Sequence, residues 1–283
     1  MARATAPGGY DFHTHSVHSD GTTQPAEVAA EAAALGLEGF ALTDHDTVSG
    51  WDEAREACQA LGIDFLPGIE ITTKHAWESR HLLGYGIDPG SGELFDALAR
   101  VRDSRLERAR EMVRRVAADY AITWDDVVGD GDARTVGRPH IADALVSAGY
   151  FADRTAAFEQ VLHPGSPYYI GTYAIETLDA IGLVRAAGGV PVLAHPAAFR
   201  QRAAVSAAEL AEFAADGLWG VELAHPENRL DWMPELELAV SDLGLETTGA
   251  SDYHGAGKPN RLGERRTPAE VVARLREFVA TPR

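Results

Sequence analysis

Short apolar runs that end on histidine or carboxylate constrain this chain more than any other feature of it. The run 39–43 gives way to Asp44-His45-Asp46, 64–69 to Glu70, 190–194 to His195, and 245–250 to Ser251-Asp252-Tyr253-His254. The stretch 11–21, DFHTHSVHSDG, opens the series. Residues i and i+2 of a strand face the same way, so His13 and His15 send both imidazoles to one place, and a turn at Asp20-Gly21 can bring a carboxylate back to them. Two such histidines alone can equally be solvated or hydrogen-bonded. The recurrence along the chain is what points to a metal centre.

Between these runs the spacing turns helical. Thr23 reads as an N-cap with Pro25 in the first turn, and AEVAAEAAALG closes on Gly36; further helices are predicted over 50–61, 175–187, 206–215, 232–243 and 268–278. About seven strands, each usually followed by a helix, predict an α/β fold, a parallel barrel of the TIM type or a distorted relative of it. Residues 77–86 read as a hairpin arm or further strand that places His81. From 95 to 166 the pattern is helical and reads as an inserted subdomain, leaving 1–94 and 167–283 as the barrel. The candidate ligands then fall at the C-terminal ends of strands, the face on which barrel enzymes build their sites. His18, His75 and His163 read as solvated or locally bonded.

With 283 residues the chain can bury one large core. Its single cysteine, Cys58, lies in a helical pattern, which excludes a disulfide framework and a thiolate metal site and favours a reducing, cytoplasmic setting. The opening MARATAPGGY has no apolar leader, and no stretch approaches the roughly 18 apolar residues of a membrane span. A net charge of −18 argues against duplex DNA as a partner, because affinity there comes from neutralising phosphates. It leaves room for an anionic substrate, since bound cations make a site locally positive.

The motifs HTHSVHSDG, TDHDTVSG, GIEI, HLLGYGID, LAHP and GASDYHG, in this order between residues 11 and 255, resemble those of the polymerase and histidinol phosphatase (PHP) superfamily. The resemblance implies a distorted (β/α)7 TIM-like barrel, up to three divalent metal ions (manganese, zinc or iron) and phosphoester hydrolysis. Carried over position by position, it implies His13, His15, Asp20, His45, Glu70, His81, His195, Asp252 and His254 as ligands, with Asp20, Glu70, Asp252 and His254 at the catalytic centre. The helical insert, HLLGYGID and the GRPH of 137–140 look like the branch that removes the 3′-phosphate from 3′,5′-nucleoside bisphosphates, whose relatives are 5′→3′ exoribonucleases on short RNA. In that branch the insert covers the site, and Arg138 and His140 are carried over as substrate contacts.

The residue types suit this chemistry. Paired divalent ions supply a nucleophilic hydroxide near neutral pH and neutralise phosphoryl charge, and Glu70, with two oxygens to share, is the natural bridge. Mixed imidazole and carboxylate ligation suits Mn²⁺, Fe²⁺ or Zn²⁺ alike. Asp44 and Asp46 flank His45 and read as carboxylates that orient imidazoles or a water, with a solvated role open for Asp46. Arg200 and Lys258, on loops near the mouth, are candidates for phosphate contact, and His225 for contact with substrate or protonation of a leaving group. The seven arginines of 100–115 alternate with Asp103, Glu107 and Glu111, which reads as a solvated, salt-bridged helix, an RNA track being the alternative. The expected substrate is a small phosphorylated nucleotide, with short RNA as the alternative. A catalytically silent binding module is the third reading, against which the retention of all the ligands speaks.

Overall fold

The apolar runs become strands, and the helices between them wind the chain into a barrel. β1 (Tyr10–Thr14) leads through α1 (Pro25–Ala34) to β2 (Gly39–Leu42), and through α2 (Trp51–Leu61) to β3 (Asp64–His75) and β4 (Glu78–Tyr85). A helical stretch follows: α3 (Gly92–Val116), α4 (Trp124–Val128), α5 (Arg138–Ser147) and α6 (Arg154–Ala157), the last running into a π-helical turn over Phe158–Leu162. Alternation then resumes with β5 (Ile175–Glu176), α7 (Thr177–Ala186), β6 (Val190–Leu193), α8 (Ala207–Ala215), β7 (Gly220–Ala224), α9 (Met233–Asp242), β8 (Glu246–Gly249) and α10 (Ala269–Ala280). This computed structural model describes residues 8–129, 136–171 and 173–280. The N-terminal stretch read for a leader lies, as far as residue 7, outside the described residues.

Seven strands run β1-β2-β3-β4-β6-β7-β8 around the barrel, with β5 pairing on β3 as a fringe. The parallel form of the barrel is corrected at β4, the hairpin arm read over 77–86, which is antiparallel to both β3 and β6. The cause is local: Ala76 and Trp77 have φ of 47° and 69°, the paired positive angles of a two-residue hairpin turn, so the chain returns at once without a crossover helix. Another correction concerns α1, whose N-cap is Gln24; its amide donates to Glu27 at 3.1 Å, while the Thr23 hydroxyl lies 3.4 Å from that of Tyr253.

Side-chain parity divides the core. Phe40, Leu42, Leu82, Leu193 and Val221 face the helices and pack with Val28, Leu98, Ile181, Phe213 and Val240. Neighbours of opposite parity, Ala41, Leu83, Val192 and Ala194, meet Phe12 and Tyr85 inside the barrel, where the Tyr85 hydroxyl donates to the Phe12 carbonyl at 2.8 Å. This interior packing is a floor beneath the site. α3 is shared between clusters: Leu94, Leu98 and Val101 join the barrel core, whereas Ala109, Met112, Val113 and Val116 pack with Ile141, Leu145, Val161 and Leu162.

The barrel closes between β1 and β8 mainly through side chains. The buried Asp11 carboxylate accepts the Ser251 amide (3.0 Å) and hydroxyl (2.6 Å) and the Gly263 amide (2.7 Å). Thr267 exchanges backbone bonds with Tyr10 at 2.9 and 2.7 Å, and its hydroxyl bridges the Gly249 amide and carbonyl, each at 2.8 Å.

Candidate metal centre

Glu70, on β3, is the hub of the barrel mouth. One carboxylate oxygen lies 2.6 Å from His81 Nδ1 and 3.0 Å from His195 Nε2; the other lies 3.1 Å from His13 Nε2, 3.2 Å from His15 Nε2 and 3.2 Å from His45 Nδ1. Asp252 Oδ1 is 3.6 Å from His13 Nε2 and 3.2 Å from His15 Nε2. Asp20 Oδ1 is 3.2 Å from His254 Nε2, and Oδ2 is 3.9 Å from His45 Nε2. The structure therefore brings all the residues carried over as ligands into one cluster.

Local backbone chemistry puts them there. A register shift in β1 between Asp11 and Thr14 re-aims the strand so that Phe12 enters the floor while His13 faces Glu70. Asp46, His195 and Asp252 have φ of 55°, 27° and 54°, left-handed values uncommon outside glycine, at the points where strands β2, β6 and β8 have just ended. At Gly21 a Cβ would stand 2.6 Å from the His15 carbonyl oxygen, so only glycine permits the turn that carries Asp20 back to the histidines.

Donor chemistry fits divalent cations. Atoms of His15, Asp20, His45 and His254 lie within 4.8 Å of one another, as do those of His13, His15, Glu70 and Asp252, of His45, Glu70 and His81, and of His13, Glu222 and His225. Among the described residues, buried His13 Nε2, His15 Nε2, His45 Nδ1 and Asp20 Oδ1 have no hydrogen-bond partner, although they converge on one another, an arrangement that a shared cation resolves. Burial pulls His45 well below the ordinary histidine value, and burial with the Arg200 charge does the same for His195, which keeps their lone pairs available. Burial alone would lift the Glu70 carboxyl; His45, His13 and His81 override it and hold it well below the usual range. At His13 the balance tips the other way: burial lowers, but Glu70, Glu222 and Asp252 together hold the ring well above its ordinary value.

Glu222 is the residue that sequence reasoning missed. Fully buried on β7, it places Oε1 3.1 Å from His13 Nδ1 and accepts the His195 amide on Oε2 at 2.8 Å, so it orients two candidate ligands at once. A carboxylate at the inward position beside outward Val221 was the available signal.

Asp44 and Asp46 do other work than expected. Neither reaches an imidazole. Asp44 accepts the Ser16 amide (2.8 Å), the Ser16 hydroxyl (2.7 Å) and the Ser19 hydroxyl (2.6 Å), and so shapes the 15–20 turn from behind. Asp46, for which the sequence leaves an orienting and a solvated role both open, is buried: it accepts the Thr72 amide and hydroxyl, each at 2.8 Å, and pairs with Arg105.

The arginine helix is likewise corrected. Only Arg114 and Arg115 pair within it, both with Glu111. Arg102 donates to the Asp46 carbonyl at 2.5 Å, Arg105 to the Thr72 hydroxyl at 2.7 Å, and Arg108 to the Ile170 carbonyl at 2.6 Å, while Arg110 stacks on Trp124. Half the helix thus faces the barrel and the 168–170 segment instead of solvent.

Arg138 lies between the rings of Phe158 (5.2 Å) and Tyr169 (5.5 Å) and donates to the Leu162 carbonyl; Arg108 covers the same Tyr169 ring at 5.4 Å. His140 accepts the Gly137 amide on Nδ1 at 3.1 Å, capping α5. Arg200 pairs with Glu227 and reaches His195 Nε2 at 3.0 Å; Lys258 meets Asp252 Oδ2 at 2.6 Å and Glu227 Oε1 at 3.6 Å. His225 is buried, accepts the Glu227 amide on Nδ1 at 3.1 Å and leaves Nε2 without a hydrogen-bond partner, 3.6 Å from Asp252 Oδ2. His75 lies 3.5 Å from Glu212, the Ser49 hydroxyl lies 2.9 Å from His18 Nδ1, and His163 Nδ1 accepts the Gly165 amide.

A 3′,5′-nucleoside bisphosphate phosphatase of Chromobacterium violaceum is 35% identical over 258 residues, which cover 89% of each chain. The PHP domain model matches residues 11–123. This chain belongs to the PHP family. A 5′-3′ exoribonuclease of Haemophilus influenzae is 30% identical over 87% of this chain and 89% of its own. A solved structure from Bifidobacterium adolescentis, assigned as a metal-dependent phosphoesterase, superposes with a TM-score of 0.93 at 42% identity, covering 97% of both chains. As a PHP protein with this fold, the chain is a hydrolase, a metal-dependent phosphoesterase. Among the described residues, no helix is long and apolar enough to cross a membrane.

Proposed function

We propose that this PHP enzyme hydrolyses a phosphate monoester of a small nucleotide, preferentially the 3′-phosphate of a 3′,5′-nucleoside bisphosphate. The observation that carries this reading is the pair Arg108 and Arg138, stacked against one tyrosine with no carboxylate partner for either among the described residues. Burial, with Arg138 beside it, pulls Arg108 down to about 10, and burial pulls Arg138 down as well. Two half-buried guanidiniums against one ring gain most from a dianion between them, and a bisphosphate has one such group to spare beyond the one being cleaved.

Divalent ions held by the nine assigned ligands supply Lewis acidity to the phosphoryl group and a water acidic enough to attack near neutral pH. The chain's own residues do the rest. Glu70 spans the site with its two oxygens, and Glu222 fixes the His13 ring by accepting from Nδ1. Arg200 and Lys258, both tethered to Glu227, stand at the rim where phosphoryl oxygens enter. Because His225 Nδ1 accepts a backbone N–H, its proton sits on Nε2, 3.6 Å from Asp252 Oδ2, and protonation of the departing ribose oxygen is the role this reading gives it. His140 caps α5, and the helical stretch, whose Arg154 reaches the Asp20 carbonyl, would limit the site to small substrates.

Comparing kcat/KM for a 3′,5′-bisphosphate, AMP and a 5′-phosphorylated trinucleotide RNA tests the assignment. The bisphosphate is expected to lead, with release of its 3′-phosphate. A trinucleotide that is turned over better establishes the exoribonuclease reading instead.

A further inference from the structure

The helical stretch touches the metal cluster's scaffold through one side chain whose geometry the reading above does not use. Arg154, in α6, directs its fork at Asp143, with Nε and Nη2 donating to the two carboxylate oxygens at 2.5 and 2.6 Å. Its remaining nitrogen, Nη1, donates to two backbone carbonyls of the barrel, those of Asp20 and Gly257, each at 3.3 Å. Asp20 is itself an assigned ligand, and the Gly257 amide donates to the carbonyl of another, His254, at 3.2 Å. From the other side Thr22 stitches the same two loops, donating to the His254 carbonyl from its amide (3.1 Å) and hydroxyl (3.2 Å).

We propose that Arg154 is a positioning residue that couples the seating of α5 and α6 to one cation, the one for which His15, Asp20, His45 and His254 are placed. This rests on the ligand assignment above. Asp20 takes part in that group alone, so whatever loosens its loop weakens one ion and spares the one among His13, His15, Glu70 and Asp252. Coupling of this kind is reciprocal: if the seated helices favour the ion, the ion favours the seated helices. Asp143 makes the arrangement specific, because its bidentate grip fixes the guanidinium plane and leaves one nitrogen to aim at both carbonyls. Gly257 belongs to the same device: a Cβ there would meet Arg154 Nη1 and stand 2.9 Å from its Cζ, so an alanine would push the guanidinium aside from this carbonyl.

The test uses the whole protein stripped of metal and titrated with Mn²⁺, for the wild type, Arg154→Ala, Arg154→Lys and Gly257→Ala. Calorimetry gives each ion's Kd, and hydrogen exchange over 138–162 is followed with and without Mn²⁺. Arg154→Ala and Gly257→Ala should each weaken one ion about tenfold or more and leave the other unchanged, with Arg154→Lys recovering part of the loss. In the wild type, Mn²⁺ should slow exchange over 138–162; in Arg154→Ala it should not. Wild-type affinity for every ion in both Arg154→Ala and Gly257→Ala would overturn the proposal. So would equal weakening of all ions together with a lowered Tm of the metal-free variants, which makes Arg154 a fold contact only. A wild-type protein that takes up no Mn²⁺ would instead sink the ligand assignment, and this coupling with it.

Discussion

Glu222 holds His13 by its far nitrogen: Oε1 lies 3.1 Å from His13 Nδ1, turning Nε2 towards Glu70. Its second oxygen takes the His195 amide, so one buried carboxylate sets two ligands. Glu222→Gln puts an amide N–H₂ against one of these two donors. Ion affinity, measured by chelator competition, should fall by about 10- to 100-fold, with kcat falling alongside and the circular dichroism unchanged. Wild-type affinity in this variant would reduce Glu222 to packing.

Removal of the ions should abolish turnover. His13→Ala and Asp252→Ala are each expected to cost on the order of 10³ in kcat or more while the barrel stays folded, since they take away donors that no other group replaces. Assays on chelator-treated protein, followed by metal replacement, check this directly. Full turnover in a preparation shown to be metal-free would exclude the mechanism.

For Arg138 the expected signature is selective. Arg138→Ala should raise KM for a 3′,5′-bisphosphate by roughly 10-fold or more, and for a single phosphomonoester much less, with metal content unchanged. An equal effect on both substrates would place its action elsewhere.

A pH effect is expected away from the metal cluster. Burial pulls the Glu209 carboxyl up, but the Ser206 amide and hydroxyl and the Arg80 guanidinium at 3.0 Å outweigh it, and its folded value lies below the ordinary one. A depressed carboxyl stabilises the fold above its unfolded value and stops doing so as the pH falls through the folded value. Glu209→Gln, which strands the buried Arg80 charge, should therefore cost on the order of 1–2 kcal/mol at neutral pH. The gap to wild type should close as the pH falls from the ordinary glutamate range through the depressed folded value. Denaturant unfolding at several pH values measures it, and a gap that is constant with pH would remove Glu209 from the acid response.

What could be read before any coordinates follows from where the information lies along the chain. Strand-end residues such as His45 and His195 are legible because they interrupt apolar runs at the barrel face where sites form, and Glu70 interrupts one too, although β3 runs on past it to His75. Glu222 is equally central, yet it lies within a strand, two positions from the exposed end, and its partners His13 and His195 are distant in sequence. The arginines of α3 misled for a related reason: helical spacing suggests acids within a turn, whereas Arg105 finds Asp46, 59 residues away, and Arg108 finds Ile170, 62 residues away. The reversal of β4 is half legible: 77–86 reads as a hairpin arm or further strand, but the two-residue turn at Ala76-Trp77 that decides for the hairpin has positive φ values that no glycine or asparagine announces. Local pattern reports which way a side chain faces, and only the closed fold reports what it meets.

The Asp11 seam has a consequence for how the finished protein acquires its ions. Asp11 receives Ser251 and Gly263 from 240 and 252 positions downstream. His13 and His15 stand at one side of that seam and Asp252 and His254 at the other, so the two halves of the donor set meet only when the seam is made. The complete set is therefore a property of the closed barrel, and the closed barrel selects its ions by affinity and geometry.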